Sequence, residues 1–561
     1  MEQLRLILLA AMALVGVLLY QGWSDVSAPP APVISDAPSS PLDGAPTPVG
    51  TPAVSDEPPV VPQNGDVPTV EPALTADSDA EDIWVRTDVI EARISRAGGD
   101  IRQLRLLDYP TSNAEGAPPL QLLDGSGRDR FFIAQSGVAS TEGASPLHTT
   151  PWAYDGPRER VLSANDDQLT LVLRWGDAES GRQVERTYHF QRGRYEFEVT
   201  QTLINQGEAS WRASPYWRLV RDTRTGGNTT PFVQTFTGVA TYELDNDRYK
   251  YRKHSADDLV DEPQAITQTG GWTGMLEHYF MAVILPPQNE ANRFFSRPYK
   301  SYPGAFLTEY VAEPIDIAAG ASAEHSVRLF IGPKLQNELG AIAPGLELAI
   351  DYGLLTPISE PLFWVMDKIH NVVGNWGWSI ILITLLVKAL FYKLSEAQYK
   401  SMARMKKFAP RIQQIKERYA DDRQRLHQAM MDLYKKEGFN PLAGCWPMLV
   451  QFPVFIALYW VLLESVELRQ ADFIFWLNDL SAPDPLFVLP VLFGVSMWLQ
   501  QKLSGQAMTM EPMQQKIMNI MPIGLAIFFT FFPSGLVLYW FVSNVIGIAQ
   551  QWFITRRIDA S

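Results

Sequence analysis

Residues 380–391 form an apolar run, from Ile380 to Phe391, interrupted by Thr384 and by one basic residue, Lys388. A lysine at the centre of a membrane helix costs roughly 2.5–3.5 kcal/mol on insertion scales, so its charge must find water, a partner or a protein cavity. Two readings stay open at this point. Lys393 follows about 7.5 Å further along a helix, so the Lys388 stem can snorkel to the same interface. Alternatively the charge has a polar task inside the membrane.

Neighbouring residues bear on that choice. Thr384, Lys388, Tyr392 and Ser395 recur at helical spacing and share one face. The last apolar segment carries a matching stripe of Tyr539, Ser543, Gly547 and Gln550, with Asn544 and Gln551 beside it. Small and hydroxylated residues at this spacing also serve close helix contact, which is the plain alternative. A cationic stripe opposite an amide stripe suits a wet groove better.

Charge divides the chain. The 561 residues carry a net charge of −15, yet residues 351–561 are net basic by three, so the first 350 carry −18. The two halves are expected to face different compartments. A single cysteine, Cys445, rules out an internal disulfide framework and any multi-cysteine metal site. It stands in Leu442-Ala443-Gly444-Cys445, which spells a lipoprotein processing box. That reading fails because the box follows a charged hairpin rather than an N-terminal apolar segment.

Residues 1–23 hold the apolar stretch Leu6 to Tyr20, read as an uncleaved anchor rather than a signal peptide. Cleavage at Val26-Ser27-Ala28 would leave Pro29 first, which is a poor site. Residues 24–82 are rich in Pro, Ala, Val, Ser and acid; they bury too little to offset their ordering entropy and are expected to form an extended tether.

Residues 83–335 switch to period-two runs such as Gln168 to Leu173 and Tyr195 to Thr200, which predict strands and together a large β-sandwich. His148, His189, His254, His278 and His325 show no metal-ligand spacing, and no nucleophile elbow or phosphate loop occurs. Asn228-Thr229-Thr230 matches a glycosylation sequon, a weak signal. No catalytic residue, metal or cofactor is expected.

Residues 345–373 mix aromatic and apolar residues with Asp367, Lys368 and His370, as suits a helix lying in the membrane interface, with His370 on its solvated face. The span 376–396 follows. Residues 397–441 are strongly basic, and the break at Ala420-Asp421-Asp422 predicts two antiparallel helices. The positive-inside rule makes this hairpin cytoplasmic. Spans 446–465, 485–502, 517–532 and 536–555 then thread in turn, joined by an outer loop at 466–484 and an inner loop at 503–516. The fold class is therefore a polytopic α-helical membrane protein of six spans, both termini inside, with a large external all-β sandwich domain. Of 16 methionines, 12 lie beyond residue 351, many in the inner loops, where thioethers suit varied apolar partners.

The segments Gly374 to Ile380, Ala443 to Pro447, Ser465 to Gln470, Pro512 to Met518 and Phe532 to Leu536 resemble the YidC, Oxa and Alb family as it occurs in Gram-negative bacteria. The likeness covers the whole membrane half, and the anchor, tether and β domain match the same layout. It implies a five-span insertase core enclosing a hydrophilic groove, open to the cytoplasm and lipid and closed to the outside, with the β domain in the periplasm and the core in the bacterial inner membrane. It implies Lys388 as the basic residue of that groove, and the helical stripes then put Thr384 and Tyr392 on the same wall and Tyr539, Ser543 and Gln550, with Trp540, on the other. Partners implied are nascent membrane proteins, the ribosome, the Sec translocon and membrane lipids, without nucleic-acid specificity. Two positions depart from the pattern: Lys388 replaces arginine, losing the planar fork, and Lys393 replaces proline.

Other classes predict differently. A secondary transporter would show an inverted repeat and paired broken spans, which this sequence lacks. A membrane-anchored binding or scaffold protein would depend on its β domain. Sandwiches of this kind resemble sugar-modifying folds, and fold alone does not assign function.

Overall fold

A computed structural model describes residues 82–224, 235–245, 248–419, 422–436, 446–504 and 512–559. The expected anchor at 1–23, the tether up to residue 81, the Asn228 sequon, Cys445, Met508 and Met510 lie outside the described residues.

Alternation builds the external domain. Strand Gln168–Asp177 buries Leu169, Leu171 and Leu173 and pairs with Arg182–Gln191, setting Leu169 opposite Phe190 and Leu171 opposite Tyr188. The next strand, Glu196–Asn205, sets Phe197 opposite Phe190, their rings 4.8 Å apart. Among the described residues the strands make two sheets, one of eleven strands and one of eight. The larger is centred on Trp211–Asp222, paired with Phe132–Ser140 on one side and Ala305–Val311 on the other. Trp152, Trp211, Trp217 and Trp272 are buried in this domain, as the expected β-sandwich requires.

Its core also holds charge. Arg221 and Arg130 share Glu277, at 3.2 and 2.9 Å, and Arg186 donates to the carbonyls of Gly98 and Ser136 while lying over the Trp152 ring. Gln135 ties Arg218 to Asp100, accepting from Arg218 Nε at 2.9 Å and donating to Asp100 Oδ2 at 2.7 Å. Burial pushes the Asp100 carboxyl up to about 6, against the lowering effect of Arg102 and Gln135.

Ten helices are described: α1 (Ala256–Asp261), α2 (Gln336–Ile342), α3 (Thr356–Val373), α4 (Trp376–Leu390), α5 (Tyr392–Arg418), α6 (Arg423–Lys436), α7 (Trp446–Glu464), α8 (Val488–Ser504), α9 (Pro512–Phe528) and α10 (Ser534–Asp559). Local chemistry sets the corner between α3 and α4. Gly374 ends α3 at φ 71°, and the Asn375 side chain caps α4 by accepting from Trp378 N at 3.1 Å. Helix α3 lies against α7 and α4; α10 lies against α4, α5 and α8; α9 lies against α8. Helices α5 and α6 lie on either side of the expected break and touch each other.

One expectation changes. The stretch 376–396 is not one straight helix: α4 and the start of α5 meet at Phe391 with a bend of 63°. The bend falls where apolar sequence gives way to charge, and Lys393, exposed just past it, pairs with Glu396 at 3.5 Å. His370 keeps partial exposure and also stacks on Trp376, ring centroids 3.9 Å apart. By length and composition, one described helix, Ser534–Arg557, is long and apolar enough to cross a membrane; the bent pair Trp376–Leu390 and Tyr392–Lys400 makes a second, and Val450–Glu464 and Lys516–Phe531 are shorter apolar helices.

The outer loop docks on the β domain, which the sequence did not announce. Arg469 and Gln470 both donate to the Pro110 carbonyl, at 2.8 and 2.9 Å. Gln336 donates through its backbone to Glu467 and through its amide to Ser465. Burial holds Glu467 up at about 7 and brings the buried Lys334 amine down to about 8, the latter opposed by the nearby Glu464 and Asp351.

Two outcomes are expected. Asp100 binds more protons folded than unfolded between its ordinary pKa of 3.8 and about 6, so β-domain stability falls as pH rises through that window. The total is roughly 3 kcal/mol, and Asp100→Asn flattens this slope in urea unfolding followed by tryptophan fluorescence. At Gly377 a Cβ would overlap the Phe473 ring, so Gly377→Ala lowers the thermal midpoint in detergent by the equivalent of about 1–3 kcal/mol. Gly524→Ala, where nothing lies within 4 Å, does not.

Candidate functional site

The site is a polar seam between helices whose other contacts are apolar. Lys388 lies roughly 18 Å along α4 from its outer start at 1.5 Å per residue, within its last turn. It is half-buried, and among the described residues it has no ion-pair partner. Its backbone carbonyl accepts from Gln550 Nε2 of α10 at 3.4 Å. Lys388 and Gln550, both toward the C-terminal ends of their helices, are thus brought together across α4 and α10.

The seam continues around them with residues the sequence reading left out. Tyr399 of α5 is buried and donates to the Gly547 carbonyl at 3.1 Å. A Cβ at Gly547 would stand 3.2 Å from Gln500 Nε2 and 3.4 Å from that hydroxyl, so glycine lets α10 approach both. Gln451 of α7 donates to Ser395 Oγ at 3.3 Å, and Asn544 donates to Ser496 of α8 at 3.4 Å. The signal for Gln451 and Gln500 was available: Gln451 is an amide within an apolar stretch of α7, and Gln500 is the first of the polar residues Gln500-Gln501-Lys502 that follow the apolar part of α8, where polar groups seek protein partners.

The remaining expected residues fare unevenly. Thr384 is buried, and its hydroxyl donates to the Ile380 carbonyl of its own helix at 2.6 Å. Tyr392 lies beyond the bend and is half-buried at the start of α5, so it no longer continues the α4 face. Ser543 is half-buried on α10, one residue before Asn544. Tyr539 is buried with its ring 5.6 Å from Phe455, and Trp540 sits among Phe455, Phe493, Phe529 and Phe532. These two belong to an aromatic layer nearer the outer end of α10 rather than to the polar seam. Within that layer Trp540 Nε1 is buried without a hydrogen-bond partner among the described residues, as are Gln550 Oε1 and Gln551 Oε1 further in. Among the described residues no cluster of His, Cys, Asp or Glu is arranged to hold a metal ion.

Comparison with known proteins agrees with this division. Residues 82–365 match the family described as YidC periplasmic domain, and residues 368–561 match the family described as 60Kd inner membrane protein. Membrane protein insertase YidC of Nitrosococcus oceani is 41% identical over 100% of this chain and 99% of its own length. That of Thioalkalivibrio sulfidiphilus is 43% identical over the same shares, and that of Methylococcus capsulatus is 44% identical over 85% of this chain and 86% of its own. Among solved structures, an active YidC insertase with its first transmembrane domain resolved is 16% identical, covering 84% of this chain and 92% of that one, at a TM-score of 0.36. A galactose mutarotase related enzyme from Lactobacillus acidophilus is 10% identical, covering 45% of this chain and 97% of that one, at 0.31. The sequence relationships span both halves of the molecule at identities that fix descent, and the chain belongs to the YidC membrane protein insertase family.

Proposed function

We propose that this chain works as a membrane protein insertase through the seam between α4, α5, α8 and α10, with Lys388 as its electrostatic centre. The observation that carries the reading is the meeting of Lys388 with Gln550 in the inner half, below an aromatic layer around Trp540. A short membrane protein must carry polar backbone through hydrocarbon, where each unsatisfied group costs several kcal/mol. A groove open to the inside and closed outside shortens that path. Lys388 draws an acidic or hydrated substrate segment into the inner leaflet while apolar segments leave sideways into lipid, and their transfer supplies the free energy without a nucleotide. The work is not enzymatic, since the name the relatives share describes no chemical transformation.

The chain resides in the bacterial inner membrane with its β domain in the periplasm, and its substrates are nascent membrane proteins. We further propose six spans with both termini inside: the anchor at 1–23, then 376–396, 446–465, 485–502, 517–532 and 536–555. The basic hairpin of α5 and α6 is the receiving surface for the ribosome or the substrate, and the Sec translocon and lipids complete the set of partners. In this reading Ser543 and Gln550 line the wall facing Lys388, and Tyr539 and Trp540 close its outer end. Thr384 supports the lysine turn from behind.

Liposomes holding only the purified protein test this. Wild type protects a short two-span substrate from protease without nucleotide. Lys388→Glu lowers protection about tenfold, the equivalent of ~1.4 kcal/mol, and Lys388→Ala falls between. Equal loss in both variants would assign Lys388 to helix contact, and no protection by wild type would favour a scaffold or an obligate Sec partner. A chain lacking most of residues 83–333 retains protection in the same assay, whereas its loss would favour a receptor built on the β domain.

A further inference from the structure

Among the described residues, three non-glycine residues have positive φ: Gln470 at 57°, Phe475 at 57° and Phe487 at 56°. All lie in one outer loop. A left-handed backbone is uncommon outside glycine and is an outlier for a bulky ring, so something fixes these conformations. The loop's own bonds do so. Asp479 Oδ1 accepts from Gln470 N, Ser481 N and Ser481 Oγ, and Asp484 accepts from Trp476 Nε1, Leu486 N and Leu489 N.

What the fixed backbone presents is apolar. Phe475 is 85% exposed, Leu486 60% and Phe487 52%. The same loop is tied to the outer ends of three membrane helices. Asn375, the cap of α4, donates to the Asp472 carbonyl at 3.0 Å; Ser534 N and Gly535 N at the start of α10 donate to Ala482 and Leu480; α8 begins directly after Phe487. Beside it, α3 exposes Trp364 and Val372. The apolar side chains therefore stand at the level where three helices begin, while Arg469 and Gln470 hold the other side to the β domain.

We propose that residues 472–487 form an apolar foot seated in the outer leaflet, with Phe475 and Phe487 at the boundary between headgroups and acyl chains. Aromatic rings suit that boundary, and a rigid loop loses little freedom on entering it. The foot sets the depth of the outer helix ends and steadies the β domain above them. The proposal takes from the proposed function only that α4, α8 and α10 cross the membrane.

Nitroxide labels on the full chain in liposomes test it, in a Cys445→Ser background that removes the sole cysteine. At Phe475→Cys and Phe487→Cys the ratio of oxygen to nickel-chelate accessibility stands several-fold above that at Asn478→Cys, on the same loop where its carbonyl meets Asn113. Leu386→Cys, on the exposed face of α4, reports the span itself. A lipid-like ratio at Leu386 with a water-like ratio at both phenylalanine positions overturns the foot alone; water-like ratios at all positions overturn the membrane crossing. Spin–spin broadening that rises with protein density would mean the patch meets a second copy, which also overturns it. The Phe475→Gly/Phe487→Gly variant keeps the left-handed turns without strain and removes the rings. In it, an Ile474→Cys label loses its lipid-like ratio, and an unchanged ratio would overturn the role of the rings.

Discussion

Hydrocarbon offers no hydrogen bonds, and the helical half of this molecule is arranged around that one constraint. Four polar side chains of the seam meet a partner on another helix: Gln550 meets the Lys388 carbonyl, Tyr399 the Gly547 carbonyl, Gln451 meets Ser395, and Asn544 meets Ser496. These pairs lie inward of Trp540 along α10 or on the helix parts that face its inner half. Toward the outside the same helices meet through Phe455, Phe493, Phe529, Phe532 and Trp540. The result is a bundle whose polarity changes along its axis, with a barrier above and a hydrogen-bonding surface below.

The β domain obeys the opposite rule, since its surroundings are aqueous and its polar groups are buried within it. Arg186, Arg218 and Arg221 are almost fully enclosed, and each has acceptors on fixed backbone or on Gln135 and Glu277. Burying such charges costs several kcal/mol per ion unless the geometry repays it, so the network specifies one arrangement of the two sheets more than it adds stability. Its far end reaches the membrane half. Glu277 precedes His278, which contacts the Leu463 carbonyl at the outer end of α7 at 3.0 Å. The two halves are thereby registered to one another through side chains placed by strands and by a helix end.

Much of this was legible in order along the chain. Period-two runs became strands with the expected faces inward, as at Leu169, Leu171 and Leu173, because alternation alone decides which face meets a core. The two basic helices α5 and α6, parted near residue 420, were equally local. What escaped was tertiary. The bend at Phe391 turns Tyr392 away from the α4 face, a change that helical spacing assumes away. Tyr539 reads as a groove residue by spacing but is drawn into the aromatic layer by Phe455 of α7. Tyr399, Gln451 and Gln500 carried a signal, an isolated polar group in or beside a span, but their meeting point depends on which helices touch. The docking of Arg469 and Gln470 on Pro110 joins residues more than three hundred apart and has no local trace.

The seam's unfilled valences suggest why a lysine serves here. Gln550 uses its amide nitrogen on the Lys388 carbonyl, leaving Oε1 without a protein partner among the described residues, and Gln551 Oε1 is in the same state. In the proposed reading, a cation without an ion-pair partner attracts any hydrated or acidic segment that arrives, whatever its sequence. An arginine would offer a planar fork and favour paired recognition of a carboxylate, which strengthens holding; an ammonium is a compact, strongly hydrated point charge that attracts without fixing geometry. For a path that must release each segment into lipid, binding that is broad and shallow is the useful kind. In the proposed reading the same logic gives the aromatic layer its purpose: were that layer polar, a segment would find hydrogen bonds all the way across, and the fall in free energy on entering lipid would no longer direct it sideways.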